Sequence, residues 1–182
     1  MIKDFKNIEY LKYGNDRQKL AYSEILKLDV FGKLKKYNPI LTGTIPIEID
    51  LPESDLDIIC ECKNHIEFSE FLSEQYGDKT DFKIYSTKLN GTKSTLAEFK
   101  TENFTFEILG QNIPTDKQNA YRHMIVEHRI LEQKGAEFKH KIKKLKSNGI
   151  KTDPAFAKLL KLTGNPFDEI LKFEENTVGN NI

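Results

Sequence analysis

Two acids two residues apart open an apolar stretch, Ser54-Asp55-Leu56-Asp57-Ile58-Ile59-Cys60. As a strand, this stretch sends alternate side chains to opposite faces, so Asp55 and Asp57 share one face with Cα atoms ~6.5–7 Å apart. Leu56, Ile58 and Cys60 then point into the core. Like charges side by side on a strand cost stability, and a divalent cation between them removes that cost. Mg²⁺ (or Mn²⁺) is the expected ion, because Mg²⁺ is held by one or two carboxylates together with substrate phosphates. Upstream, the apolar pair Ile40-Leu41 runs into Gly43-Thr44, and a loop containing Pro46 and Pro52 leads to Ser54. Glycine lets the backbone approach a phosphate without a Cβ in the way. Thr44 and Ser54 add hydroxyls, which makes Gly43, Thr44 and Ser54 the candidate substrate contacts.

A third acid on a later strand could converge on the same site, and two positions compete for it. In Phe104-Thr105-Phe106-Glu107-Ile108 the aromatic and aliphatic residues alternate to one face, leaving Glu107 on the other. Glu98 has the same setting in Leu96-Ala97-Glu98-Phe99. If the loop between these strands is two residues long, around Glu102-Asn103, the two acids lie directly opposite each other. Two uncompensated acids so paired are unfavourable, which again points to a cation or a base nearby. Periodicity does not choose between them.

Gly43-Thr44, ten further residues, and Asp55-Leu56-Asp57 resemble the signature of the nucleotidyltransferase superfamily. Within it, three blocks resemble a bacterial domain-of-unknown-function family (number 4269): LTGTIPIEID with SDLDIIC, FEILGQ at 106–111, and QNAYRHM at 118–124. The resemblance runs over most of the chain from about Leu41. It implies an α/β (α+β) fold, with a small mixed sheet, packed helices and a C-terminal helical part. It also implies transfer of a nucleotidyl group from a nucleoside triphosphate to an unknown acceptor. Asp55, Asp57 and Glu107 would be the catalytic and metal-binding acids, and the FEILGQ block is what favours Glu107 over Glu98. Thr44 departs from the commoner Ser or Gly, keeping a hydroxyl but adding a β-methyl.

Other chemistry-bearing residues are weaker. Cys60, Cys62 and His65 make three potential ligands, but a structural zinc site takes four, so the thiols are expected to be small buried hydrophobes. Arg122 and His123 lie off the apolar stripe Tyr121, Met124, Ile125, His128 and Leu131. They either face solvent or reach the phosphates or second substrate, for which a guanidinium fork is suited. The resemblance of QNAYRHM favours the second reading. His128, on the stripe, is expected to be a packed core histidine. The run Lys139, Lys141, Lys143, Lys144, Lys146 and Lys151 contains no acid and no interleaved aromatics for base stacking, so it is expected to be a solvated face.

The elements that must position these groups follow from caps and breakers. Helices are expected from Asn15 or Asp16 to about Lys27, over 29–37, over 65–76, and from Asp116 to about Lys134 with an interruption at Gly135. Two more begin at Asp153-Pro154, ending at Gly164, and at Asn165-Pro166; the tail TVGNNI is expected to fray. Strands are expected over 82–87, 95–100 and 103–109, with a turn at Asn90-Gly91. This divides the chain into N-terminal helices (1–38), a sheet core (39–115) and a helical part (116–182), together one compact domain. No chemistry is expected before Pro39.

The 182 residues are 38% hydrophobic and 31% charged, with no Trp. Lysine and arginine balance aspartate and glutamate at 28 each, so no global field favours nucleic acid or a membrane. Nucleic acid is therefore not an expected partner. No apolar run approaches spanning length and no secretion-type apolar region opens the sequence, so a cytoplasmic location is expected. The rival to an enzyme is a nucleotide-sensing or interaction domain of the same fold without turnover.

Overall fold

The structure, a computed structural model, describes residues 4–175; the tail TVGNNI lies outside them. The chain divides into two compact units, one of residues 1–48 and 53–121 and one of residues 49–52 and 122–182.

In the first unit, α1 (Asp16–Lys27) starts from an Asn15 capping box closed by Gln18. A 3₁₀ helix, Ile8–Tyr13, precedes it and is absent from the expectation. The helix expected over 29–37 is instead two pieces, α2 (Val30–Lys33) and a 3₁₀ turn, Lys35–Tyr37. Asp29 and Asn38, both left-handed with φ of 51° and 49°, bracket these pieces. Asn38 is also barred from the α region by the proline that follows it.

The sheet has five strands: β1 (Ile40–Thr42), β2 (Leu56–Glu61), β3 (Thr80–Leu89), β4 (Thr92–Lys100) and β5 (Thr105–Gln111). Their order is β1-β2-β5-β4-β3, with β2 and β5 parallel and the other pairs antiparallel. Helix α3 (His65–Tyr76), capped by the Asn64 side chain and ended at Gly77, follows β2. β3 and β4 form a hairpin whose turn, Asn90-Gly91, has positive φ at both residues, as a type I′ turn requires. Between β4 and β5, Thr101 N–H donates to Phe104 O and Phe104 N–H to Thr101 Oγ1, leaving Glu102-Asn103 at the tip. This closure fixes the register of the acids described below.

One face of the sheet is the core. Leu56, Ile58, Cys60, Ala97, Phe99, Phe106 and Ile108 are buried there with Ala21, Ile25, Leu34, Phe68, Leu72 and Tyr76 from the helices. Tyr76, Phe99 and Phe106 stack in sequence, with ring centroids 4.8 and 4.9 Å apart. Fully burying an apolar side chain of this size contributes about 1.5–3 kcal/mol, so this face holds the strands in place whatever the other face carries. Cys60 and Cys62 are buried free thiols. Burial pushes the Cys60 thiol far up and the Cys62 thiol up to about 11, which keeps both unreactive.

In the second unit, α4 (Asn119–Ser147, in this unit from residue 122) breaks at Gly135, whose φ of 77° and ψ of −173° are not helical. It begins at Asn119 rather than Asp116, because Thr115–Lys117 is a 3₁₀ turn. Helices α5 (Thr152–Leu160) and α6 (Pro166–Glu175) follow. α5 ends ahead of Gly164, at a left-handed Lys161. The buried face of α4 is rotated from the expected stripe: Met124 and Leu131 belong to it, as do Val126, Glu127 and Ile130, whereas Ile125 and His128 are only half-buried. His128 is therefore not a core histidine. Among the described residues, no helix is long and apolar enough to cross a membrane.

Candidate functional site

Register carries one row of side chains across all five strands, on the face opposite the core. Thr42 pairs with Asp57, Asp57 with Glu107, Glu107 with Glu98, and Glu98 with Lys83. Asp57 and Glu107 are thus neighbours on adjacent parallel strands, and Glu98 stands one strand further out. Asp55 lies just before β2, which begins at Leu56 rather than Ser54, and its carboxylate accepts a hydrogen bond from the Thr105 side chain.

The row is electrostatically loaded. Burial raises the Glu107 carboxyl above its usual range, with further upward pushes from Glu98 and Asp55. Asp55 is also raised, by desolvation first and by Glu98, against the lowering effect of its bond from Thr105. Glu98 has a donor of its own: Tyr85 Oη donates to Glu98 Oε1 over 2.9 Å. Desolvation, with that bond to Glu98, pushes the Tyr85 phenol up to about 12. Acids that crowd one another in this way are favoured in their charged form by a cation among them.

The loop after β1 closes over this row. Gly43 has φ of +79°, and a Cβ built on it would collide with Asp57 Oδ2. Glycine is therefore required twice over, for the left-handed backbone and for the close approach to a carboxylate. Thr44 Oγ1 and Ser54 Oγ lie 3.4 Å apart, so the two candidate hydroxyls meet at the base of the loop. Helix α1 supports the loop. Buried Gln18 donates to Ile45 O at 2.9 Å and to Pro46 O at 3.2 Å. Arg17 donates to Ser54 O at 3.1 Å with its guanidinium 4.2 Å from the Phe104 ring centre. The region before Pro39 thus positions the site, which its sequence did not reveal: the acceptors are backbone carbonyls about thirty residues away.

Arg122 and His123 are engaged within the helical unit. Arg122 Nε and Nη2 donate to Glu174 Oε2 at 3.0 and 2.6 Å. His123 Nδ1 lies 2.5 Å from Asp153 Oδ1. Among the described residues, His123, Glu127 and Asp153 are a group whose potential ligand atoms all lie within 4.8 Å of one another. Glu127 and Asp153 were not read as functional. The available signal was the four-residue spacing of His123 and Glu127, one helical turn, with an acid heading the next helix. The lysine run is not wholly a solvated face either: Lys146 is half-buried and donates to Ile49 O at 2.7 Å. The third potential ligand beside the thiols, His65, places Nδ1 2.9 Å from Thr95 Oγ1 and 3.4 Å from Cys62 Sγ.

A family model described as a domain of unknown function (DUF4269) matches residues 23–173. No curated protein matches the sequence at a significant level. Among solved structures, Cid1 poly(U) polymerase with MgGTP bound superposes with a TM-score of 0.52 at 13% identity, over 76% of this chain and 47% of that one. A Cid1 structure described by its RNA terminal uridylyl transferase activity gives a TM-score of 0.53 at 12% identity, over 76% and 46%. The polymerase core of TRAMP, an RNA surveillance complex, gives 0.51 at 11%, over 90% and 51%. The chain therefore spans about half the length of these structures. Their likeness establishes a nucleotidyltransferase-like fold: a five-stranded mixed sheet with packed helices.

Proposed function

The chain belongs to the DUF4269 family, and we propose that it is a metal-dependent nucleotidyltransferase acting from the acid row of its sheet. The observation that carries this reading is the position of Asp57, with the Gly43 backbone against its carboxylate and Glu107 beside it in register. The donor set fits Mg²⁺ or Mn²⁺: hard carboxylate oxygens, crowded enough that Asp55 and Glu107 are raised without a counter-ion. Asp55 and Asp57 would hold the ion, with Glu107 as a further ligand or as the base. The metal's chemical contribution is to neutralise charge on the triphosphate and on the leaving pyrophosphate.

The remaining work falls to side chains and backbone. Gly43, Thr44 and Ser54 form the phosphate-facing loop: the absence of a Cβ at Gly43 lets its backbone sit against the Asp57 carboxylate, and the two hydroxyls would donate to a phosphate oxygen. The acceptor oxygen attacks the α-phosphorus, the bond to pyrophosphate breaks, and the acceptor's proton passes to Glu107 if that residue serves as general base. Its raised carboxyl suits it to receive a proton. Arg122 and His123, the other candidate substrate contacts, are engaged by Glu174 and Asp153 within the helical unit.

The acceptor is open. Neutral net charge argues against nucleic acid, but the similar structures are described as a poly(U) polymerase and an RNA terminal uridylyl transferase, so RNA 3′ ends belong among the acceptors tested. Transfer of label from each α-labelled nucleoside triphosphate to cell extract and to RNA, with Asp57→Asn as control, tests the proposal. Metal-dependent label on a defined acceptor supports it. Nucleotide binding with no transfer to any acceptor would leave a sensing domain in its place.

A further inference from the structure

We propose that His123, Glu127 and Asp153 bind a divalent transition-metal ion, with Zn²⁺ the best chemical match, at a site separate from the sheet acids. His123 and Glu127 are four residues apart on α4 and so project from one face of it, and Asp153 stands in the first turn of α5. One ligand atom from each lies within 4.8 Å of the others. Ligands bound at about 2.0–2.2 Å from Zn²⁺ in a tetrahedron sit roughly 3.3–3.6 Å from one another. The group is therefore near the scale of an ion: the 2.5 Å contact between His123 and Asp153 has to open by about 1 Å, and separations of up to 4.8 Å have to close by a similar amount.

The independent observation is Glu127. It is 5% exposed, with Asp153 and Lys146 as its charged neighbours. A buried carboxylate is costly unless its charge is compensated. A cation placed against both acids would relieve that cost. The His123 and Asp153 side chains are 13% and 15% exposed, which leaves the ion a way in.

The donor chemistry selects the ion. One imidazole nitrogen with two carboxylates suits Zn²⁺, Fe²⁺ or Mn²⁺, whereas Mg²⁺ prefers oxygen alone. Three protein ligands leave a fourth position for water. Bound there, the ion ties the first half of α4 to the start of α5, across the break at Gly135 and the lysine-rich stretch.

Zn²⁺ alone, titrated without nucleotide into tag-free Asp55→Asn/Asp57→Asn protein, isolates this site from the sheet. The expected result is one Zn²⁺ per chain and a Zn²⁺-dependent rise in melting temperature. Glu127→Gln or His123→Gln in that background should weaken binding by about 100-fold or more, beyond the roughly 10–100-fold that loss of an outer-shell partner costs. Unchanged Zn²⁺ affinity in a folded Glu127→Gln protein would overturn the proposal. If those variants do not fold, the parent double variant still decides. Stoichiometric Zn²⁺ that survives desalting and raises its melting temperature supports the site, and no shift in excess Zn²⁺ overturns it.

Discussion

The molecule carries two groups of acids, and they are built on different logic. On the sheet, Asp57, Glu107 and Glu98 stand in a row because strand pairing puts them there, and Asp55 joins from the end of β2. In the helical unit, Glu127 and Asp153 come together with a histidine and within reach of Lys146. The sheet row leaves Glu107 and Asp55 raised mainly by burial and by fellow acids; in the helical group His123 stands against Asp153 and Lys146 is a cationic neighbour of Glu127. Repulsion left standing on a rigid sheet, under a glycine loop, is a place prepared for a ligand's charge. The core on the opposite face can sustain it: about 1.5–3 kcal/mol for each buried large apolar side chain outweighs the repulsion of a few half-exposed acids.

The comparison breaks first at Asp57. Asp57→Asn should abolish metal-dependent nucleotide binding while leaving the apo protein at least as stable, because it removes repulsion. A large fall in the apo melting temperature would make Asp57 a structural residue instead. Next comes the choice of third acid. Glu107→Gln keeps shape and removes charge, so transfer should fall by about 10²–10⁴-fold if Glu107 is the base, with nucleotide binding affected much less. Glu98→Gln should keep most activity, since Tyr85 already bonds Glu98 two strands away from Asp57. Near-normal transfer by Glu107→Gln and none by Glu98→Gln would reverse the assignment.

Gly43→Ala is a smaller perturbation with two causes. The left-handed backbone costs about 1–3 kcal/mol for a non-glycine residue, and the new Cβ meets Asp57 Oδ2. Both stability and metal affinity should drop, whereas Gly91→Ala, a positive-φ site open to solvent, should lower stability alone. Equal metal affinity in the two variants would detach the loop from the acids.

The smallest effect is on pH dependence. Glu107 and Asp55 have folded-state pKa values raised above the unfolded ones. Below the ordinary carboxylate value both states are protonated and no penalty exists. As pH rises through the raised folded values, the unfolded chain has already ionised, so apo stability falls. Denaturation midpoints of Glu107→Gln should decline less steeply with pH from about 4 upward than those of the parent. A parent as steeply stabilised as the variant over that range would contradict the raised carboxyls.

The sheet acids were legible because a two-residue period needs no tertiary information. Asp55-Leu56-Asp57 and Phe106-Glu107-Ile108 declare their faces locally, and the two-residue tip Glu102-Asn103 set the Glu98–Glu107 register. The helical group was not legible because a helix face is fixed by phase, and α4 turns Val126, Glu127 and Ile130 inward where the stripe drawn through Ile125 and His128 placed them outside. Asp153 adds a contact thirty residues away that no local pattern encodes. The anchoring of the Gly43 loop by Arg17 and Gln18 escaped for the same reason.

The central claim, that Asp55 and Asp57 bind nucleotide through a metal, is met most directly by calorimetry with each nucleoside triphosphate in excess Mg²⁺ and in EDTA. The account predicts saturable binding of at least one nucleotide with Mg²⁺ or Mn²⁺ and none in EDTA. Equal affinity under both conditions would contradict it.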